Sequence, residues 1–372
     1  MTPLRRTRSE FGWKVPRLIA ALRRGAPQVG ITLGSDKSLK TTISRHENRR
    51  VTPGEEWRKL YRLVYGRTDE ELGFVGSAAV PSSAMPVEHL QHRLATARRV
   101  DLALVEEMRQ QVHHIRLLDR RLGAPSLLEQ TRSVMATLND LVSYSLKPST
   151  RQALAAVLAD AAALAAWQAL DIGAIHQAWG HYETAKIAAR EAQSSLLLAH
   201  AMGEQVYALH DLGRLTDALS LAQEAFWLIR KSGPRLLLSW LSVVEGETQA
   251  ALADDSCYRT LERSAHLLPD VTDDPDLPFI ALDPTHHARW RGHCLAQLGD
   301  GEAVDYLTAA LVNMDKTFVR ATAGLRCDLA QALATRGEEE EARKHLRSAR
   351  LLANQVGSIR QRRRIMSLGF AA

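Results

Sequence analysis

Cysteine is scarce in this chain: Cys257, Cys294 and Cys327 are the only three in 372 residues, widely spaced and odd in number. They supply neither a disulfide framework nor a zinc-ligand pattern, which points to a reducing compartment, the cytoplasm. Aromatic residues are few, at 5%. No segment alternates apolar and polar residues with period two for long enough to suggest a sheet. No glycine-rich phosphate loop, G-x-S-x-G elbow or H-E-x-x-H pair is present, so nothing indicates an enzyme or a cofactor. The N-terminal arginines are followed only by LIAAL, too short for an export core. The most apolar stretch, Ala153–Leu170, is alanine-rich and holds Asp160, so it reads as a helix of a soluble protein rather than a membrane span.

What is present is helix-forming sequence and a lopsided charge. An apolar content of 45% is enough for a real core, and the length allows two or three domains. The net charge is +6, and residues 1–75 hold 16 Lys and Arg against 8 Asp and Glu. The rest of the chain is slightly acidic, with 32 against 34. A basic N-terminal part on a near-neutral body points to a polyanion, with nucleic acid first. The bland alternative is a solvated, soluble terminus.

Residues 76–87, within GFVGSAAVPSSAMPV, are small and nearly uncharged and read as a linker. Residues 88–149 read as a helical hairpin. Its first helix is one long element through Leu94, Val105, Met108, Val112, Ile115, Leu118 and Leu122, ended by Gly123-Ala-Pro125. Its second helix spans about Ser126 to Tyr144. From residue 150 a repeat runs to the C-terminus. Gly173 leads Ala178, Tyr182 and Ala185; Gly213 leads Ala218, Ala222 and Ala225; Gly337 leads Ala342, Leu346 and Ala349. Gly299 leads Ala303, Leu307 and Ala310 one residue sooner, and Ala253 leads Cys257 and Leu261 in that shorter form. A glycine ends one helix in a tight turn, and small residues let the next pack closely. Helical hairpins of about 40 residues, stacked on a shared core, are expected. LHDLGRLTDALSLAQEAF and LATRGEEEEARKHLRSA resemble tetratricopeptide repeats, which implies a groove for a peptide, protein or small-molecule effector.

The stretch SLKTTISRHENRRV, residues 38–51, fits a recognition helix. Ser38 suits an N-cap. Leu39 and Ile43 lie four apart and face a core, while Lys40, Thr41, Ser44 and Arg45 fall on the open side. Lys and Arg can donate to guanine edges or phosphates, and Thr can meet a thymine methyl. Asn48 tolerates the left-handed conformation that stops a helix. Pro53, Trp57, Leu60, Tyr61 and Val64 start a further helix that closes the small core.

TTISRHEN, with YGRTDEELGF at 65–74, resembles the Cro/repressor-type (XRE) helix–turn–helix of actinobacterial transcriptional regulators. Thr42, Ile43, Ser44, Arg45, Glu47 and Asn48 match that pattern. His46 stands where Trp is usual and Arg49 where Gly is usual. VGITLGSDKSLK, at the place of the support helix, carries two glycines and no T-Q-x-x-L-A pattern. DPDLPFIALDPTHHARWRGHCLAQLGD and AGLRCDLAQALATRGEEEEARKHLRSA are similar to the repeat half of such regulators. The resemblance implies a cytoplasmic regulator that binds double-stranded DNA, with a C-terminal part that dimerises or senses an effector.

The expectation is therefore an all-α protein: a helix–turn–helix domain over 1–75, then an α-solenoid of tetratricopeptide-like hairpins over 150–372. As a homodimer it would set Lys40, Thr41, Ser44 and Arg45 against bases, with Thr42 beside them, and Lys37, Arg49 and Arg50 against phosphates. The alternative is a peptide- or protein-binding scaffold whose helix–turn–helix no longer reads DNA. His286, His287, His293 and Cys294 lack the second cysteine or carboxylate of a usual metal spacing and read as structural. Most tryptophans read as core, with a minority lining the groove. The basic run RQRRRI at 360–365 reads as the end of the last helix, where cations suit the helix dipole.

Overall fold

The computed structural model describes residues 2–48, 51, 53–69, 71–74 and 87–368, and every regular element among them is helical. The chain forms two compact units, Met1–Gln91 and His92–Ala372. Residues 76–86 of the expected linker lie outside the described residues, and Val87 already belongs to a helix.

The first unit holds α1 (Pro3–Glu10), α2 (Val15–Val29), α3 (Asp36–Glu47) and α4 (Glu55–Tyr65). Leu18, Ile19, Leu22 and Ala26 of α2 share one face at helical spacing and are buried. Leu60 and Tyr61 of α4 meet them, and Leu39 and Ile43 of α3 complete the core. Full burial of a side chain such as Ile43 contributes roughly 1.5–3 kcal/mol. The α2–α4 approach is close at Gly25, where a Cβ would sit 3.1 Å from Leu60 Cδ1.

Three expectations about this unit are corrected. The stretch 29–40 is not a helix preceding a turn: α2 ends at Val29, residues 30–35 form a loop, and α3 begins at Asp36. The helix before α3 is α2 itself, built on the LIAAL segment. The N-cap of α3 is Ser35, whose Oγ accepts from Ser38 N at 3.4 Å, and not Ser38. Asn48 ends α3 at φ −103°, outside the left-handed region, with its side-chain amide donating back to Ser44 O at 2.7 Å.

The long helix expected from Leu94 to Leu122 is two helices, α5 (Val87–Arg98) and α6 (Leu102–Leu122). Asp101 caps α6 by accepting from Leu104 N at 2.9 Å, and the buried Val100 pins the break. A single 3-10 turn, Ala124–Ser126, leads into α7 (Leu128–Tyr144). There follow α8 (Pro148–Asp171), α9 (Ile175–Glu191), α10 (Ser195–Asp211), α11 (Leu215–Ile229), α12 (Arg235–Ala251) and α13 (Ser256–Leu267). The last five are α14 (Pro284–Leu298), α15 (Ala303–Asn313), α16 (Val319–Thr335), α17 (Glu339–Gln355) and α18 (Ile359–Ser367).

From α8 onward each even-numbered helix packs on the odd-numbered helix after it and also on the next even-numbered one. Gly173, Gly213, Gly299 and Gly337 end even-numbered helices at φ between 70° and 82°, and Ala253 takes the same role at φ 55°. The residues that follow at the repeat's offsets, among them the small Ala178, Ala185, Ala218, Ala222 and Ala225 and the larger Tyr182, are fully buried. The longer spacing between Ala253 and Gly299 comes from the segment 268–283, whose Leu277, Ile280 and Leu282 are buried in the main core.

The end of this array meets its beginning: α16 touches α6, and α18 touches α8. Gly123 is the tightest point, since a Cβ there would lie 2.0 Å from Val356 O. Only α8 among the described helices is long and apolar enough to cross a membrane, and 83% of that stretch is buried among its neighbours.

Candidate functional site

Two places carry more chemistry than packing requires. One is the open face of α3. The other is a cavity of about 720 Å³ inside the second unit.

On α3, Leu39, Ile43, His46 and Glu47 are buried, at steps of four, three and one. The opposite face is exposed and carries Lys37, Lys40, Thr41, Ser44, Arg45 and Asn48. Thr42 is half-buried at the border. Arg49 and Arg50 lie outside the described residues. Among the described residues Lys37, Lys40 and Arg45 have no carboxylate partner, whereas Asp36 at the helix start is paired with Arg23 at 2.7 Å. Thr41 Oγ1 donates to Lys37 O at 3.2 Å, and Ser44 Oγ accepts from the Asn48 amide at 3.3 Å. The face therefore offers three unneutralised cations and two hydroxyl groups.

Its rigidity comes from the buried side. His46 meets Trp57 edge-on at 5.2 Å, and its Nδ1 lies 3.2 Å from the Tyr61 hydroxyl. Burial holds His46 below its ordinary pKa and so neutral. Glu47 is clamped by Arg8 of α1.

The cavity is walled by α6 and by the even-numbered helices α8 to α18. Its lining is unusually ionic. Arg320 spans Asp119 and Asp171, each at 2.9 Å, and Ser358 Oγ donates to the other Asp171 oxygen at 2.5 Å. Arg360 meets Asp211 at 3.0 Å, Arg116 pairs with Asp160, and Arg364 pairs with Asp328. The basic run at 360–365 is thus a separate short helix, α18. It does not simply end the preceding helix with its cations on the helix dipole: Arg360 and Arg364 turn inward onto carboxylates.

His293 sits between two acids, Nδ1 at 2.6 Å from Asp328 and Nε2 at 3.2 Å from Glu247. Burial opposes its charge, but these carboxylates overcome it and raise its pKa to about 9. Burial likewise works against the charge on Asp328 and Glu247; Arg364 and His293 hold Asp328 down to about 2, and His293 holds Glu247 down to about 2. His286 is bound to Asp283 through Nδ1 at 3.0 Å. Among the described residues no three His, Cys, Asp or Glu side chains are grouped to hold a metal.

Trp167, Trp240 and Trp290 line the cavity. Trp179 and Trp227 are neither core nor cavity lining but exposed, the latter with Arg230 over its ring at 3.8 Å. The sequence reasoning missed the cavity. Its signal was present as single acids inside apolar helices, such as Asp160 and Asp328, since a buried charge needs a partner.

Comparison with known protein families and with curated proteins gives no match to this chain.

Proposed function

We propose that this protein is a DNA-binding transcriptional regulator of the helix–turn–helix kind, acting as a homodimer in the cytoplasm. In this reading α2 is the support helix and α3 the recognition helix, and the second unit is a tetratricopeptide-like array that dimerises or senses an effector. The observation that carries the reading is the face of α3: Lys37, Lys40 and Arg45 are exposed and, among the described residues, free of carboxylates, on a helix anchored by Ile43, His46 and Glu47. Unneutralised cations on a rigid helix suit phosphate and base-edge contacts, and they match the basic balance of residues 1–75. Lys40, Thr41, Ser44 and Arg45 are assigned to bases, with Thr42 at the border, and Lys37 to phosphate. Arg49 and Arg50, assigned to phosphate by their sequence position, complete the set.

A second reading, a scaffold whose helix–turn–helix no longer reads DNA, is favoured by one observation. The α2–α3 connection, residues 30–35, is longer than the three- or four-residue turn of a usual helix–turn–helix. Fluorescence anisotropy against genomic fragments at two salt concentrations separates the two. Selective, salt-sensitive binding by the parent, relaxed in Arg45→Ala, supports the regulator. Weak and unselective binding supports the scaffold.

A further inference from the structure

Most cavity arginines are spoken for. Arg116, Arg320, Arg360 and Arg364 each face a carboxylate. Two are not. Among the described residues, Arg120 of α6 and Arg289 of α14 have neither a hydrogen bond nor an ion pair. Each instead lies over an aromatic ring, Arg120 over Phe318 at 4.6 Å and Arg289 over Trp290 at 4.1 Å. The Nε of Arg289 is buried with no acceptor.

His286 joins them. It is buried, its ring meets Phe318 edge-on at 4.5 Å, and its Nε2 has no partner among the described residues. Its pKa is lowered by burial first; Asp283 works against that, and Arg289 and Arg120 add to it, which puts both guanidinium groups in its electrostatic neighbourhood. Arg120 of α6 and Arg289 of α14 thus reach one cavity wall without an ion pair, beside a His286 that is already bound to Asp283. Leaving charge unpaired in a partly desolvated site is costly, so such groups mark a place where an anion completes the site.

The remaining walls say what the anion is attached to. Trp240 and Phe279 flank His200, at 5.4 Å and 4.2 Å, and Trp290 lies nearly parallel to Tyr207 at 6.1 Å. Phe279 belongs to the segment 268–283, which covers the inner helices here. A space of about 720 Å³ falls in the range of small-ligand sites and is too small for a folded partner.

We propose that this cavity binds a small organic anion with a flat apolar body, its acidic group held by Arg120 and Arg289. The site lies wholly within the second unit, so the proposal stands whether or not α3 contacts DNA.

The test uses the full chain and two fluorescent probes. One is 8-anilinonaphthalene-1-sulfonate; the other, N-phenyl-1-naphthylamine, is the same ring system without the sulfonate. The parent binds the sulfonate probe saturably at one site. The double variant Arg120→Gln/Arg289→Gln loses at least tenfold in affinity for it and changes less than twofold for the neutral probe. Arg120→Lys/Arg289→Lys, which keeps the charge, retains sulfonate binding within about fivefold. The Gln variant also melts no lower than the parent, because among the described residues neither arginine makes a hydrogen bond or ion pair, and removing a buried unpaired charge offsets the lost ring contact. Equal losses for both probes, no loss for either, or a lower melting temperature in the Gln variant with weakened binding also in the Lys variant overturns the proposal.

Discussion

Arg8 of α1 holds Glu47 of α3 through both arms of its guanidinium, Nε to Oε1 at 2.5 Å and Nη2 to Oε2 at 2.9 Å. Thr2 adds a hydrogen bond to the Glu47 carbonyl. Glu47 is buried, so the pair acts as a brace from one helix to the other. Removing one partner leaves the other charge buried alone. Glu47→Ala is expected to cost the first unit about 3 kcal/mol. Urea unfolding followed by tryptophan fluorescence measures this, and an unchanged midpoint would show that α3 is held without the brace.

The α3 face separates two kinds of DNA contact. Arg45→Ala is expected to cost about 1–3 kcal/mol on the best sequence and much less on others. Lys37→Ala should weaken all sequences alike and lower the salt slope by about one. Anisotropy titrations over a range of salt concentrations distinguish the pair. Identical behaviour of the two variants would remove the assignment of roles.

The hairpin turns offer a strain test. Ala253 holds φ 55° where its counterparts are glycines. Left-handed backbone costs a residue with a Cβ about 1 kcal/mol, so Ala253→Gly should stabilise the second unit by up to that amount. Gly213→Ala should do the reverse, because a Cβ there meets nothing within 4 Å and only the φ of 70° opposes it. Thermal melts of both variants read the sign directly.

His293 gives the fold a pH window. Its folded pKa of about 9 exceeds the ordinary 6.5, so the stability it contributes is complete below about 6.5. That stability is lost as pH rises towards 9. By linkage this amounts to roughly 3 kcal/mol. On the acid side Asp328 and Glu247, held to about 2, contribute above their ordinary values and lose that contribution as pH falls towards 2. Both limbs describe the same contacts and count once. Unfolding free energies at pH 6 and pH 10 should differ less in His293→Gln than in the parent; an equal difference would place the pH dependence elsewhere.

Gly123 tests how the array closes. A Cβ there would collide with the Val356 carbonyl at 2.0 Å, and φ is 83°. Gly123→Ala should destabilise the second unit by more than the ~1 kcal/mol that the strained φ alone costs. Hydrogen exchange should then show the loss concentrated in α18 and the end of α17.

The hairpin turns were legible in the sequence because their requirement is local. A left-handed residue followed by small residues at fixed offsets is visible at Gly173, Gly213 and Gly337 without knowing what packs on them. The exposed face of α3 was legible for the same reason, from Leu39 and Ile43 at one helical step. The true cap, Ser35, was missed because Ser38 is equally good chemistry three residues on, and only the course of the loop decides between them. The inward turn of Arg360 and Arg364 could not be read, since it depends on Asp211 and Asp328 from distant helices. A basic run looks the same in sequence whether it meets water or a buried acid.

An open row of hairpins, each touching only its neighbours, can melt piecemeal from its tips. Here Arg320 binds Asp119 across 201 positions, and Ser358 reaches Asp171 across 187. Such links tie α6 and α8 to α16 and the start of α18, so the two ends of the array are held against fraying. The unit should unravel more cooperatively than an open row, and the closure forms only once α16 and α18 are in place.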